Sequence, residues 1–208
     1  MIKADHGVRS LKAGDLRKFF AAFKEHKNPA YFQIELIQFC LSLRVCEALG
    51  IFWEDRDLPR GEITIQRSIV WDRDSWAPSI KDRPKNGKAR VLAIPQVLMD
   101  HLSEMQKSPG RRSGLVFHSD GLPLIRKSVG NAYNRALRLC EITYVSGIHV
   151  IRKTSGTQAN AMTGDFHAVS ENLGHSNVEE TQKYVESLTE SKRKVARALN
   201  DAAIEALK

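Results

Sequence analysis

The amino-acid sequence predicts an α+β fold that is mainly helical, with a helical core and a small antiparallel β-sheet or hairpin. Apolar residues recur at helical spacing in several segments, whereas strand-like alternation is confined to the middle of the chain. The first helix is expected after Ser10, which can cap it. Leu16, Phe19, Phe20 and Phe23 then follow the i, i+3, i+4, i+7 pattern of one helix face.

A more deeply buried helix is expected next. Asn28 and Pro29 break the chain, and a proline suits the first turn of a helix. The segment Tyr31–Leu43 is apolar on nearly every side, which predicts a central helix. Arg44 would lie at its end, and because a buried arginine is costly unless paired, Glu47 is its expected anchor. A purely structural Arg–Glu bridge explains these two residues equally well.

The strand signals lie in the middle of the chain. The alternation in GEITIQRSIV (61–70) predicts a strand. In KNGKARVLAIP (85–95), the pair Asn86-Gly87 favours a type I′ hairpin turn that leads into a strand over Arg90–Ile94. Lys85 stands at the entry to that turn, where a lysine is usually just solvated. The stretch 71–84 between these segments shows no clear pattern.

The rest of the chain alternates predicted helices with short connections. Helices are expected over Gln96–Gln106 and over Lys127–Ile142. Asp165 can cap a further helix that runs through Leu173. The Ala-rich C-terminal stretch, about residues 189–206, predicts a terminal amphipathic helix.

The length of 208 residues suits one sizeable core and at most two small domains. Residues 1–10 are polar and unpatterned, so we expect a linker or a disordered N-terminus there, followed by one domain over 11–208. The N-terminus has no apolar run typical of a signal peptide, and no stretch approaches the length of a membrane span.

The three cysteines are too few and too scattered for a disulfide framework. Cys40, Cys46 and Cys140 form neither a CxxC pair nor a Cys/His metal spacing. We therefore expect small apolar fillers in a reducing cytoplasm and no metal site.

The charge balance favours a polyanionic partner. Lys+Arg 32 against Asp+Glu 24 gives a net charge of +8, with a sequence pI near 9.5. Nucleic acid suits that balance, although many basic proteins bind none. Arg111 and Arg112 in a predicted loop, with Arg126 and Lys127 at the start of a predicted helix, are candidates for contacts with a DNA backbone. A solvated charged face is the commoner explanation for such residues.

The segment 149–184 contains several side chains that could take part in catalysis. His149 and Arg152 lie three residues apart, which places them on one face of a helix, and His175 precedes Tyr184 by nine residues. Each piece alone has an ordinary structural explanation, such as a helix-surface pair, a helix end or a packing tyrosine. Together, cationic and hydrogen-bonding groups around one phenol are what the transfer of a phosphodiester to a tyrosine requires.

Four blocks, in order, resemble the catalytic domain of the tyrosine recombinases, the phage-type integrases. The joint pattern is far more specific than any block alone, and it covers roughly residues 11–190. The blocks are LSLRVCEALGIFWED with Arg44 and Glu47, KNGKARVLAIP with Lys85, HVIRKTSGTQA with His149 and Arg152, and LGHSNVEETQKY with His175 and Tyr184.

The chain also departs from the family pattern. Ser42 stands where the family often has a glycine two residues before the arginine, and Lys81 and Lys88 are rivals of Lys85 for the hairpin lysine. The sequence leaves no room for the separate core-binding domain that most members carry before the catalytic one. We therefore expect either a fragment of a longer integrase or a minimal member.

The resemblance implies a mechanism and assigns roles. Tyr184 would attack the scissile phosphate and form a 3′-phosphotyrosyl link, with Arg44 and Arg152 forked onto the non-bridging oxygens. His149 would assist proton transfer from the phenol, and His175 would donate a hydrogen bond to the phosphate. Lys85 would protonate the leaving 5′-oxygen, and Glu47 would orient the arginines.

The resemblance further implies site-specific recombination of double-stranded DNA, by integration or excision, without metal, ATP or other cofactor. It implies self-association on DNA, as a tetramer in the synapse, and a weak oligomer or a monomer when the protein is free. The implied location is the cytoplasm of a bacterial or phage-infected cell. The terminal helix would be exchanged with a neighbouring protomer or fold back on its own domain. The alternatives are DNA relaxation like that of type IB topoisomerases and a DNA-binding module of the same fold that no longer cleaves.

Overall fold

A buried helix, α2 (Pro29–Leu41), lies at the centre of the fold. The computed structural model describes residues 10–72, 74–75, 77–82, 89–107, 113–119, 121–174 and 190–208. The N-cap side chain of Asn28 accepts a hydrogen bond from the backbone N–H of Ala30 at 3.0 Å, and Pro29 occupies the first turn, as the sequence predicts.

Most of the other helices pack against α2, and the remaining two pack against those neighbours. They are α1 (Ala13–Lys24), α3 (Val45–Leu49), α4 (Gln96–Gln106), α5 (Arg126–Leu139), α6 (Val150–Thr163), α7 (Phe166–Leu173) and α8 (Glu190–Leu207). The apolar face expected for α1 is buried as a unit, and the bounds of α4 are those the sequence predicts. A smaller apolar cluster joins α6, α7 and α8 through Ala159, Val169 and Leu199.

Several predicted helix ends are wrong by a few residues. Helix α1 begins after Lys12 rather than at Ser10, because the backbone N–H of Leu11 donates to Thr154 Oγ1 (2.9 Å) and its side chain enters the core. Helix α2 ends at Leu41 and not at Leu43. Helix α5 likewise ends short of the predicted position, at Leu139.

The strands form small antiparallel sheets, which confirms the α+β, mainly helical class. They are β1 (Arg56–Asp57), β2 (Glu62–Ile65), β3 (Ser68–Trp71), β4 (Pro78–Lys81), β5 (Arg90–Ala93), β6 (His118–Ser119) and β7 (Leu122–Pro123). Among the described residues, β1, β2 and β5 make one sheet, β3 pairs with β4, and β6 pairs with β7. A 3₁₀ turn over Trp53–Asp55 leads into the first of these sheets.

The strands predicted over 61–70 and over Arg90–Ile94 contribute to one antiparallel sheet. Strand β5 pairs with β2, with Ile63 opposite Leu92, whereas the predicted turn at Asn86-Gly87 lies outside the described residues. A further hairpin, which the sequence did not indicate, lies in the stretch without a clear pattern. There Asp72 Oδ1 accepts hydrogen bonds from two backbone N–H groups, and β3 turns back into β4. The burial of Ile63 and Leu92 stabilises this register.

The terminal helix α8 packs on its own domain. Arg17 forms an ion pair with Glu205, Lys24 Nζ donates to the carbonyl of Leu207 (2.7 Å), and Asn200 Oδ1 accepts from the backbone N–H of Val97 (2.9 Å). Exchange of this helix with a neighbouring protomer stays a prediction.

Buried polar side chains interrupt the apolar core of α2. Glu35 is fully buried, and within the described ranges neither of its carboxylate oxygens has a hydrogen-bond partner. Burial raises the pKa of Glu35 to about 8, so this carboxyl is largely protonated at neutral pH. Neither Cys40, Cys46 nor Cys140 forms a disulfide, and no helix of the described ranges is long and apolar enough to cross a membrane.

Candidate active site

The first site residue lies where two helices meet. Ser42 ends α2 in the left-handed conformation, with φ of 53°, which is why a glycine is favourable at this position. Its hydroxyl lies 2.6 Å from Ser155 Oγ of α6, a hydrogen bond that helps to hold the turn. Arg44 follows as the N-cap residue of α3, so it lies at a junction and not at the end of the long helix.

The carboxylate of Glu47 is the centre of the site. It is almost fully buried, and its Oε2 accepts a hydrogen bond from the backbone N–H of Arg44 at 2.9 Å. Its Oε1 accepts from Arg44 Nη1 at 3.1 Å, which is the ion pair expected from their spacing. Arg152 approaches the other oxygen, with Nη1 3.5 Å from Oε2. The structure therefore brings Arg44 and Arg152 together on one carboxylate.

A third arginine, Arg90 of β5, was not among the residues predicted for the site. Its Nη1 and Nη2 donate to Glu47 Oε1 and Oε2 at 3.1 and 3.0 Å, a two-pronged geometry. A signal for it exists in the sequence, because Arg90, Leu92 and Ile94 alternate and so share one face of the strand. Leu92 and Ile94 are core residues, which places Arg90 on the buried face.

Arg152 is the most enclosed of the three guanidiniums, with 8% of its side chain exposed. Nη1 donates to the carbonyl of Ser42 at 2.8 Å, and Nη2 donates to the carbonyl of Leu173 at 2.5 Å. Burial and the like charge of Arg44 lower the pKa of Arg152 to about 10, so it is still cationic at neutral pH. Arg152 thus joins the α2–α3 junction to the end of α7.

His149 lies at the exposed rim, as the residue that precedes α6. Partial burial of the ring, followed by the charges of Arg126, Arg152 and Arg44, lowers the pKa of His149. A neutral imidazole at physiological pH can accept a proton, which a charged one cannot.

The charges of the site do not cancel. Burial alone would raise the pKa of Glu47, but the charge and hydrogen bonds of Arg90, with contributions from Arg44 and Arg152, outweigh it, so the pKa of Glu47 is lowered and the carboxyl is ionised. Three guanidiniums against one carboxylate leave two positive charges. Arg44, with 22% of its side chain exposed, brings part of this excess to the surface. Such a site attracts an anion with two accessible oxygens.

The remaining predicted residues are placed as follows. Arg126 lies exposed at the first turn of α5, close enough for its charge to act on His149 and Cys46. Lys127 is also exposed, as is Lys81 on β4. Lys85 and its rival Lys88, His175, Tyr184, Arg111 and Arg112 lie outside the described residues. In the described part of the chain no group of His, Cys, Asp and Glu residues is arranged to hold a metal ion.

Comparison with known proteins identifies the family. The model of the phage integrase family matches residues 9–191. A protein named tyrosine recombinase XerC-like, from Caldanaerobacter subterraneus subsp. tengcongensis, is 26% identical over 224 residues, which cover 97% of this chain and 56% of the relative. The chain therefore spans little more than half the length of that relative.

Solved structures share the fold. The Tn1549 transposon integrase in complex with transposon right end DNA matches with a TM-score of 0.70 at 16% identity, covering 93% of this chain and 66% of that one. The XerH recombinase bound to difH gives 0.61 at 19% identity, covering 93% and 51%. The catalytic domain of bacteriophage HP1 integrase gives 0.53 at 21% identity, covering 80% of each chain. The chain belongs to the phage integrase family, the tyrosine recombinases.

Proposed function

We propose that this chain cleaves and rejoins DNA strands in site-specific recombination, through a covalent 3′-phosphotyrosine formed on Tyr184. The observation that carries the proposal is the convergence of Arg44 and Arg152 on Glu47, with two positive charges in excess beside the imidazole of His149. A phosphodiester carries one negative charge and gains a second as the transition state forms. Two guanidiniums can offset those two negative charges.

The arginines act through their shape as well as their charge. A guanidinium presents parallel N–H groups that match two oxygens of a phosphate, which a lysine cannot reproduce. Glu47 fixes Arg44, and the carbonyls of Ser42 and Leu173 fix Arg152, so neither side chain has to be ordered when DNA binds. Losing one such donor typically slows a reaction by about 100- to 1000-fold.

His149 supplies the proton acceptor. A tyrosine with a pKa near 10 is ionised in about one molecule in a thousand at pH 7, a deficit of roughly 4 kcal/mol. Because partial burial and the surrounding cations lower the pKa of His149, its ring is neutral and can take the phenolic proton of Tyr184 as the oxygen attacks. The same cations favour the phenolate.

The other roles rest on the family resemblance. His175 donates to a non-bridging oxygen of the phosphate, and Lys85 protonates the leaving 5′-oxygen. The phosphotyrosyl link conserves the energy of the broken phosphodiester, so rejoining requires no ATP. The guanidiniums take the role that metal ions have in other phosphoryl transfers, so the proposed reaction requires no metal.

Double-stranded DNA is the proposed partner. The net charge of +8 suits a polyanion, and the related Tn1549 integrase and XerH structures contain DNA. We expect Arg111, Arg112, Arg126 and Lys127 to contact the backbone, so that binding falls steeply as salt rises. On DNA the chain would assemble as a tetramer, in the cytoplasm of a bacterial or phage-infected cell.

The test is a suicide substrate, a duplex nicked next to the scissile phosphate so that cleavage cannot be reversed. Wild-type protein should yield a covalent protein–DNA band that survives denaturation, and Tyr184→Phe should yield none. Tyr31→Phe is the matched control, since it removes a half-buried phenol on α2, and it should retain the band. A band that persists in Tyr184→Phe would refute the assignment of the nucleophile.

A second substrate separates recombination from relaxation. Two labelled duplexes that each carry the site should yield a joint product in which strands from both are linked. A covalent band without any joint product would instead favour DNA relaxation of the topoisomerase type.

A further inference from the structure

We propose that Arg90 is a positioning residue for strand cleavage, which neutralises Glu47 and holds the end of α7 against it. The inference rests on the proposed function, because it concerns the rate of the same chemical step. Arg90 differs from Arg44 in what its guanidinium does. Both of its terminal nitrogens are forked onto Glu47, and Nε donates to the carbonyl of Asn172 at 3.2 Å.

This set of contacts directs Arg90 inward. Only 11% of its side chain is exposed, compared with 22% for Arg44. A guanidinium has five N–H groups in a rigid fork, and those of Arg90 that point to Glu47 lie parallel to the two carboxylate oxygens. The guanidinium of Arg90 therefore binds both Glu47 and the end of α7, whereas Arg44 makes one side-chain hydrogen bond to the same carboxylate.

The first consequence is electrostatic. A forked Arg90–Glu47 pair is neutral as a unit, so Arg44 and Arg152 keep their charge for a phosphodiester. Without Arg90, Glu47 would have to be neutralised by those two arginines instead. Each would then be drawn toward the carboxylate and away from the phosphate oxygens.

The second consequence is mechanical. The last carbonyls of a helix have no partner within the helix. At the end of α7, the carbonyl of Asn172 accepts a hydrogen bond from Arg90 and the carbonyl of Leu173 accepts one from Arg152, so two arginines of the cluster fix this terminus. Gly174 then lies against the guanidinium, since a Cβ at that position would be 3.1 Å from Arg90 Cζ. Its φ of 65° also favours glycine.

A simple structural role makes a different prediction from a positioning role. A buried ion pair that only stabilised the fold would change the unfolding midpoint and leave the chemistry of the folded fraction intact. A positioning role changes the cleavage rate of fully folded protein, because a displacement of about 1 Å at reacting groups can cost on the order of 100-fold. The experiment must therefore separate binding, chemistry and stability.

The test compares wild type with Arg90→Lys, which keeps the charge and loses the fork. Single-turnover cleavage of the suicide substrate gives the rate constant, fluorescence anisotropy gives the DNA affinity at fixed salt, and urea unfolding confirms that the protein is folded. We expect the cleavage rate constant to fall by about 10- to 100-fold, while the affinity changes by less than about threefold.

Three further variants extend the test. Glu47→Gln and the double variant Glu47→Gln/Arg90→Lys should differ in cleavage rate by less than wild type and Arg90→Lys do, because part of the effect of Arg90 acts through the carboxylate that both lack. Gly174→Ala pushes on the same guanidinium without changing any charge and should slow cleavage too. It gives an independent measurement if Arg90→Lys does not fold.

The outcomes are distinguishable. No covalent band with wild type would refute the proposed function itself. A wild-type band with an unchanged rate constant in Arg90→Lys and Gly174→Ala would overturn the positioning role, as would additive losses in the double variant. A fall in affinity as large as the fall in rate would make Arg90 a DNA contact instead.

Discussion

Replacement of Glu47 by glutamine is the most informative single perturbation of this site. The amide keeps the size of the side chain and one acceptor oxygen, but it removes the only negative charge that the structure shows among Arg44, Arg90 and Arg152 in the described site. With that charge gone, three guanidiniums lie close together without the carboxylate that separates them, and Arg90 and Arg152 are largely buried. We expect a large loss of stability.

The magnitude follows from the burial and the number of partners. Removing one partner of a buried ion pair typically costs about 3–5 kcal/mol. Because glutamine still accepts one hydrogen bond, we expect roughly 3 kcal/mol, the lower end of that range. Proteins usually have a free energy of unfolding of about 5–15 kcal/mol, so the variant should still fold. With a urea m-value of about 2–3 kcal/mol/M, the midpoint should fall by about 1–1.5 M.

Urea unfolding of both proteins at several pH values is the assay. The pKa of Glu47 is below its ordinary value of 4.5 in the folded state, so the carboxylate stabilises the fold fully above that ordinary value. This contribution is lost as the pH falls through the lowered pKa. The difference between wild type and Glu47→Gln should therefore be constant near neutral pH and shrink in acid.

A matched control is Glu104→Gln, which removes an exposed carboxylate paired with Lys107 at 2.6 Å. Exposed pairs contribute about 0–1 kcal/mol, so this variant should unfold almost like wild type. The reasoning would be refuted if Glu47→Gln also stayed within 1 kcal/mol of wild type, or if its deficit did not shrink in acid.

Two other perturbations give clear expectations. The pKa of Glu35 is raised to about 8 in the folded state, so between the unfolded-state pKa and that value the free energy of unfolding of wild type falls by about 1 kcal/mol per pH unit. In Glu35→Gln the free energy of unfolding should fall less as the pH rises. Urea unfolding between pH 6 and 8 checks this, and equal slopes for the two proteins would contradict it. In Arg126→Ala, removal of a positive charge should raise the pKa of His149 and move the acid limb of the cleavage-rate profile to higher pH; Lys127→Ala, one residue on, is the control and should move it less.

Features that depend on neighbouring residues were predictable from the sequence. The buried face of α1 follows from the spacing of its apolar residues, and the Asp165 cap of α7 is confirmed by a 2.9 Å hydrogen bond to the backbone N–H of Ala168. The Arg44–Glu47 contact belongs to the same class, since both residues lie within one turn of α3. In each case the partners are three to seven residues apart.

Features that depend on distant partners were not predictable in the same way. The alternation of β2 and of β5 predicts each strand but not its partner, and only the fold places Leu92 beside Ile63, where both are buried. The turn at Asp72 is made by a side chain bonding to the backbone of the next residues, which apolar periodicity does not report.

Arg90 shows where a sequence pattern is informative but incomplete. Its alternation with Leu92 and Ile94 places it on the core face of β5, yet a buried guanidinium is tolerable only with a carboxylate nearby. That carboxylate is Glu47, which precedes it by 43 positions and belongs to a different element. Without the fold, the alternation alone does not distinguish a buried arginine from one at the open end of a strand.

The assembly of the site and its chemistry depend on the same charge balance. Arg44, Arg90 and Arg152 come from the α2–α3 junction, from β5 and from α6, and like charges at this distance would drive those elements apart. Glu47 offsets one of the three charges, which lets the elements meet around a buried carboxylate. A second carboxylate would stabilise the cluster further but would leave too little positive charge to attract a phosphodiester. If the proposed function holds, the arrangement with one acid and three arginines costs the free protein some stability, and an anion bound at the site would offset that cost.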